Sequence, residues 1–246
     1  SGVYAGDPEQ LSMQAVLPSL VKWEFTHGSV IMGALMQGLF RHKNASVKRK
    51  RYKGLISFSD GLGALPNSLE KALPASVNKL ANTQLLQLSG KAPHYQLAYQ
   101  SKGKETETVQ AKSVVFAMPA YKTASLFQVT DPILFNSLSA IPYAPVVVVH
   151  LAVPRSEVPH ALDGFGCLIA RDHSTNNKQM PLLGAIWVNA LFPERAPKDE
   201  ALFACILGGA LQPAFVQQSE EVVIETTLSC LKEIFKTNTL TPRFVK

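Results

Sequence analysis

Cysteine is scarce in this sequence, charge is thin, and no apolar run is long enough to cross a bilayer. The 246 residues hold three cysteines, Cys167, Cys205 and Cys230. They are far apart, odd in number and set among apolar neighbours. No pair has zinc-site spacing and nothing suggests a disulfide framework, so buried thiols in a reducing compartment are expected. The longest apolar run, Ala144 to Val153 (APVVVVHLAV), has ten residues, against about 20 for a membrane helix. It reads as a buried strand with His150 as a satisfied core histidine. The opening SGVYAGDPEQLSM has neither the charged start nor the apolar core of a secretion signal. A cytoplasmic location, or the inner face of a membrane, is therefore expected.

The usual catalytic signatures are also missing. There is no G-x-x-x-x-G-K-[ST], no H-E-x-x-H and no G-x-S-x-G, and DGLGALP carries Gly61 and Gly63 but Pro66 where a dinucleotide fingerprint needs glycine. The six histidines are scattered, and no metal site is expected. Asn44-Ala45-Ser46 fits the glycosylation pattern, which means nothing without a secretory route. Asp7 and Asp60 sit in Gly/Pro/Ser turns and read as turn or cap residues.

The net charge of +6 is local. Seven of the 24 Lys and Arg lie between Arg41 and Lys53 (RHKNASVKRKRYK), leaving 17 basic against 18 acidic residues elsewhere. A solvated loop is the simplest reading. No aromatic-interleaved module accompanies the run, so nucleic acid is not an expected partner.

At 46% apolar and 17% charged, the chain can bury a core. Leu11 to Glu24 predicts a helix with Pro18 as a kink, and Ser29 to Phe40 a second, with Gly33, Ala34 and Gly38 for close packing. GLISF, Gly54 to Phe58, predicts a short strand. SDGLGALPNSLEKAL predicts a turn and helix, with Asn67 and Glu70 spaced as a capping box. TQLLQLS, YQLAYQS and ETVQAKSVVFA alternate like strands joined by short turns. MPAYKTASLF and PILFNSL predict short helices. GFGCLIAR, PLLGAIWV and ALFACILGG predict further strands, with a polar loop from Asp172 to Met180. Glu220 to Phe235 predicts an amphipathic helix, after which TNTLTPRFVK shows no regular element. The expected class is mixed α/β with at least one antiparallel sheet.

SGVYAGDPEQLSM, GSVIMGAL, FSDGLGALPNSL, VVFAMPAY, IPYAPVVVVHLAV, LDGFGCLIAR, LLGAIWVNALFPERAP and FACILGGA occur in this order. Together they resemble the oxygen-dependent protoporphyrinogen and coproporphyrinogen oxidases, flavoenzymes with the amine-oxidase fold. The resemblance runs from Ser1 to about Ala210. In such enzymes a Rossmann unit precedes this stretch and a further FAD-binding segment follows it. The resemblance therefore implies an internal fragment that is inactive alone. It implies part of a Rossmann-type FAD domain plus a substrate domain with an antiparallel sheet. The corresponding divisions are a helical substrate- or membrane-side segment (1–53), part of the FAD domain (54–128) and the substrate domain (129–246).

The resemblance also implies site residues. Leu85 in NTQLLQL would touch FAD through its backbone. Ala117, Met118 and Pro119 occupy the family's cofactor-side turn, where Met118 replaces a threonine and its hydroxyl. Leu168 and Trp187 would line an apolar tetrapyrrole pocket, with Phe165 as a further candidate and Trp187 standing where many members have Phe. The implied partners are a porphyrinogen substrate, FAD and O2, with peripheral membrane contact and a homodimer as open expectations. The reaction would be oxidation of protoporphyrinogen IX or coproporphyrinogen III. A non-catalytic tetrapyrrole-binding product and another enzyme of the same fold are the alternatives.

Overall fold

In a computed structural model, the structure describes residues 4–40, 57–170 and 180–246. The basic run, most of the GLISF stretch and nearly all of the polar loop before Met180 lie outside the described residues. The chain divides into two compact units, Ser1–Phe40 with Tyr143–Lys246, and Arg41–Pro142.

The first unit opens on the Asp7 turn, where Asp7 Oδ1 accepts Glu9 N–H at 3.1 Å and the Asp7 carbonyl accepts from Gln10 and Leu11. The helix expected next is two helices. α1 (Met13–Val16) is capped by Ser12, and α2 (Pro18–His27) starts at Pro18. The reason is local: proline disfavours helical backbone in the residue before it, and Leu17 sits at φ −132°, ψ 60°. Proline at the first helical position loses no hydrogen bond, so it begins a helix here instead of kinking one. Gly28, at φ 68°, ends α2. α3 (Val30–Phe40) follows and packs closely on α2, since a Cβ on Gly33 would collide with the Trp23 side chain. Gly38 faces open space.

The rest of this unit is a five-stranded antiparallel sheet under a long helix. Its strands are β4 (Val146–Pro154), β5 (Gly166–Leu168), β6 (Leu182–Trp187), β7 (Glu200–Gly208) and β8 (Phe244–Val245), in the order β5-β6-β7-β4-β8. A single turn, α7 (Val188–Leu191), follows β6, and α8 (Glu220–Phe235) follows β7. α8 has the bounds its periodicity predicts, with Ser219 accepting from Val222 N–H as N-cap. Its inner face (Val223, Cys230, Leu231, Phe235) joins Val149, Leu151, Phe203, Cys205 and Leu207 in one core. Thr227 is fully buried but satisfied, donating to the Val223 carbonyl at 2.7 Å.

The tail expected to be irregular instead forms β8, whose extension exchanges two backbone bonds between Lys246 and His150 at 2.9 and 3.0 Å. The amino-terminal turn is tied to the same unit, because Ala210 N–H donates to the Ala5 carbonyl at 2.8 Å. Gly209, at φ +88°, makes that approach, and a Cβ there would lie 2.7 Å from the Ala5 oxygen.

The second unit contains α4 (Ala64–Ala72), the meander β1 (Thr83–Lys91), β2 (His94–Ser101) and β3 (Thr106–Ala111), and the helices α5 (Ala120–Ala124) and α6 (Pro132–Ser139). The three strands are antiparallel in sequence order. β3 stops at Ala111, short of the VVFA stretch expected to continue it. Asn67 is not a cap: α4 starts at Ala64, so Asn67 is interior and Glu70 pairs instead with Lys79 at 3.1 Å. Asp131 caps α6 by accepting from Leu134 N–H.

Candidate functional site

Side chains alternate across a strand, so each strand of the five-stranded sheet presents two faces. On β7, Ala201, Phe203, Cys205 and Leu207 are fully buried against α8, while Leu202, Ala204 and Ile206 on the other face are half-exposed. β4 behaves alike: Val149, Leu151 and Val153 are buried, whereas Val146, Val148 and His150 are exposed. The strand expected to be buried is buried mainly on one face, and the expected core histidine is corrected. His150 has the parity of the open face.

Register then assembles the open face across four strands. Leu168 pairs with Gly184, Gly184 with Ile206, and Ile206 with Val148. One step along, Gly166, Ile186, Ala204 and His150 form a parallel row. The result is an apolar floor in which Gly184 is buried and the Leu168 side chain packs over it. The packing requires that glycine: a Cβ there would lie 2.6 Å from the Cys167 oxygen. Leu168 is 65% exposed on this floor. Phe165, just before β5, is also exposed, and its carbonyl accepts from Trp187 N–H at 3.2 Å.

Trp187 has the opposite parity and is only 6% exposed. Its ring lies in the core, 4.7 Å from the His160 ring, and its Nε1 is buried with no partner among the described residues. The residues that share the floor with Leu168 are Ile186, Ile206 and Val148, which the sequence does not single out. Both faces of these strands are apolar, so alternation carries no label for the open side.

The floor runs into a pocket of about 570 Å³ lined by Val148, His150, Arg195, Leu202, Phe244 and Lys246. The Arg195 guanidinium lies 4.1 Å over the Phe192 ring. Asn189 secures the turn below by donating to the Glu200 carbonyl at 2.8 Å and accepting from Leu202 N–H at 3.1 Å. Beneath the floor, burial pushes the Cys205 thiol from 9.0 up to about 12, with Cys167 and Cys230 adding to the shift. Cys205 is thus an inert core thiol. No group of metal-ligating side chains occurs among the described residues.

The cofactor-side candidates lie in the second unit. Leu85 is half-buried on β1, beside a register shift between Leu85 and Gln87. β1 is an edge strand, and such strands present unpaired backbone groups. Residues 114–119 (VVFAMP) carry only apolar side chains, with Val115 and Met118 exposed. Phe116 is fixed by an edge-on contact with Phe127, centroids 5.7 Å apart. The Pro119 carbonyl accepts from Lys122 and Thr123, turning the chain into α5.

Known proteins place this architecture. A family model described as flavin containing amine oxidoreductase matches residues 1–246. Protoporphyrinogen oxidase 1 of Arabidopsis thaliana chloroplasts is 30% identical over 98% of this chain, which spans 46% of that protein. The Spinacia oleracea counterpart is 32% identical over 95% of the chain and 42% of its own length. Coproporphyrinogen III oxidase of Bacillus subtilis is 25% identical over 97% of the chain and 48% of its own length. The chain thus spans a little under half of each of these relatives. Among solved structures, a candidate protoporphyrinogen oxidase from Exiguobacterium sp. 255-15 superimposes with a TM-score of 0.75 at 22% identity, covering 100% of this chain and 48% of that one. Reduced UDP-galactopyranose mutase shares the fold more distantly, with a TM-score of 0.56 at 14% identity over 76% of this chain and 38% of its own. With the family model matching its whole length, the chain belongs to the flavin containing amine oxidoreductases.

Proposed function

We propose that this chain supplies the substrate face of an FAD-dependent oxidase that converts protoporphyrinogen IX or coproporphyrinogen III to the porphyrin, with O2 as acceptor. The supporting observation is the floor Leu168–Gly184–Ile206–Val148 on a chain of the flavin family. A porphyrinogen has broad apolar faces, which branched side chains can cover. The macrocycle would lie against Leu168, Ile206 and Val148, with Phe165 at its edge. Trp187 would support the floor from beneath, a different role from the direct contact expected of it. The backbone of Leu85 and of Ala117, Met118 and Pro119 would hold FAD. When bound, FAD would take electrons from the macrocycle in pairs, six in all, and pass them to O2 as hydrogen peroxide. The chain's own residues would cover the ring, exclude water and fix its orientation.

No helix among the described residues is long and apolar enough to cross a membrane. The same proposal keeps a peripheral membrane contact and a homodimer, for which exposed Ile31 and Leu35 on α3 offer apolar surface. The test is titration of the chain with protoporphyrin IX, followed by tryptophan fluorescence. Saturable one-to-one binding is expected, with Leu168→Asp weakening it tenfold or more, since each buried aliphatic side chain contributes roughly 1.5–3 kcal/mol. No saturable binding, or wild-type affinity in Leu168→Asp, would overturn the proposal.

A further inference from the structure

We infer that Arg155 is a positioning residue for the floor: its guanidinium holds residues 155–165 in one path and so fixes where Phe165 and Leu168 meet a ligand. The inference rests on the proposed function and names what preorganises its site. Residues 155–165 join β4 to β5, and beyond a short turn at Arg155–Glu157 they form no regular element. Such a segment has few backbone partners of its own, and Arg155 supplies them. Its Nη1 donates to the Val158 carbonyl at 2.7 Å, and its Nη2 to the His160 and Ala161 carbonyls at 2.9 and 3.2 Å. Among the described residues Arg155 pairs with no carboxylate, so the planar fork of donors serves this backbone. The Arg155 N–H donates to the Asp199 carbonyl at 2.8 Å, which ties the hub to the chain just before β7.

The path so held is one the chain resists. Leu162 sits at φ 56°, left-handed backbone that a bulky side chain rarely adopts. Its side chain is buried in the core with Val158, and its N–H donates to His160 Nδ1 at 2.9 Å. Residues in such backbone persist only where their surroundings over-determine them, and Arg155 grips the carbonyls of the two residues just before Leu162. The far end is set by β6. The His160 ring lies 4.7 Å from the Trp187 ring, and a Cβ on Gly164 would come within 3.1 Å of that same ring. The Phe165 carbonyl accepts from Trp187 N–H at 3.2 Å. Phe165 and Leu168 therefore reach the open face at a defined place, both exposed. A segment fixed beforehand need not be ordered by the ligand, which keeps that cost out of the affinity.

Titration of the chain with protoporphyrin IX tests this. Arg155→Gln should weaken binding about fivefold, because the ligand must then order the segment as it binds. Arg155→Lys, which keeps the charge but not the fork, should recover part of that loss. Without ligand, the Leu162 amide should exchange faster with deuterium in Arg155→Gln, while the amides between β4 and β7 keep their wild-type rates. Arg155→Gln should also cost less affinity in a Leu168→Ala background than in the wild type, since it acts through that contact. If Arg155→Gln loses its near-ultraviolet circular dichroism, Arg155→Lys decides, with a loss of about twofold expected for its single donor group. Wild-type affinity in the folded variants would overturn the inference and leave the floor standing. Fully additive losses with Leu168→Ala, the mark of a merely structural role, would overturn it too. No saturable binding by the wild type would overturn the proposed function and this role with it.

Discussion

Phe203 and Leu168 test the two faces of the sheet against each other. Phe203 is fully buried on β7, between β4 and β6, with Leu151 and Trp187 as its ladder partners. Its ring lies 5.4 Å from Phe235 of α8. Truncation to alanine removes the ring at the point where helix and sheet meet, and neighbours on three elements can collapse only partly into the space. Phe203→Ala should therefore cost about 3–5 kcal/mol, a large part of the roughly 5–15 kcal/mol that holds a domain folded. Leu168→Ala removes a side chain from an exposed position and should change stability by no more than about 0.5 kcal/mol. Urea unfolding followed by the fluorescence of buried Trp187 measures both, with Leu168→Ala sharing the wild-type midpoint. A cost below about 1 kcal/mol for Phe203→Ala, or equal costs for the two variants, would refute the assignment of faces.

Asn189→Ala leaves the Glu200 carbonyl and Leu202 N–H without their side-chain partner and should cost about 1–3 kcal/mol in the same unfolding assay. Gly209→Ala forces a side chain into a positive-φ position against the Ala5 oxygen, so cleavage within the first 12 residues in limited proteolysis should accelerate. Cys205 should not react with a thiol reagent at pH 8 until the protein unfolds. Its folded thiol keeps its proton to about pH 12 while the unfolded one ionises near 9. The folded state thus binds more protons between those values, so stability is retained below pH 9 and declines as pH rises toward 12. Cys205→Ala should flatten that decline in urea midpoints measured from pH 8 to 11.

Local order in this protein is written in local sequence. The period of α8, the alternation of β1 and β2, the proline that opens α6 and the Asp7 turn all follow from residues within a few positions of one another. So does the run of motifs by which the chain resembles the porphyrinogen oxidases. Two failures of the local prediction lie within four residues, where Pro18 acts on Leu17 and Gly63 starts α4 before Asn67 can cap it, whereas the tail becomes β8 only by pairing with distant β4. The site is different in kind. The strands Val146–Pro154, Leu182–Trp187 and Glu200–Gly208 are apolar on both faces, so nothing within any of them says which face meets α8. That is settled by pairing between residues 20 to 60 positions apart, as in Ala185–Cys205 and Val149–Cys205. One step of parity sends Trp187 into the core, His150 to the surface, and Ile186 and Ile206 onto the floor beside Leu168. Register is a property of the assembled sheet, and the floor exists only once four strands have agreed on it.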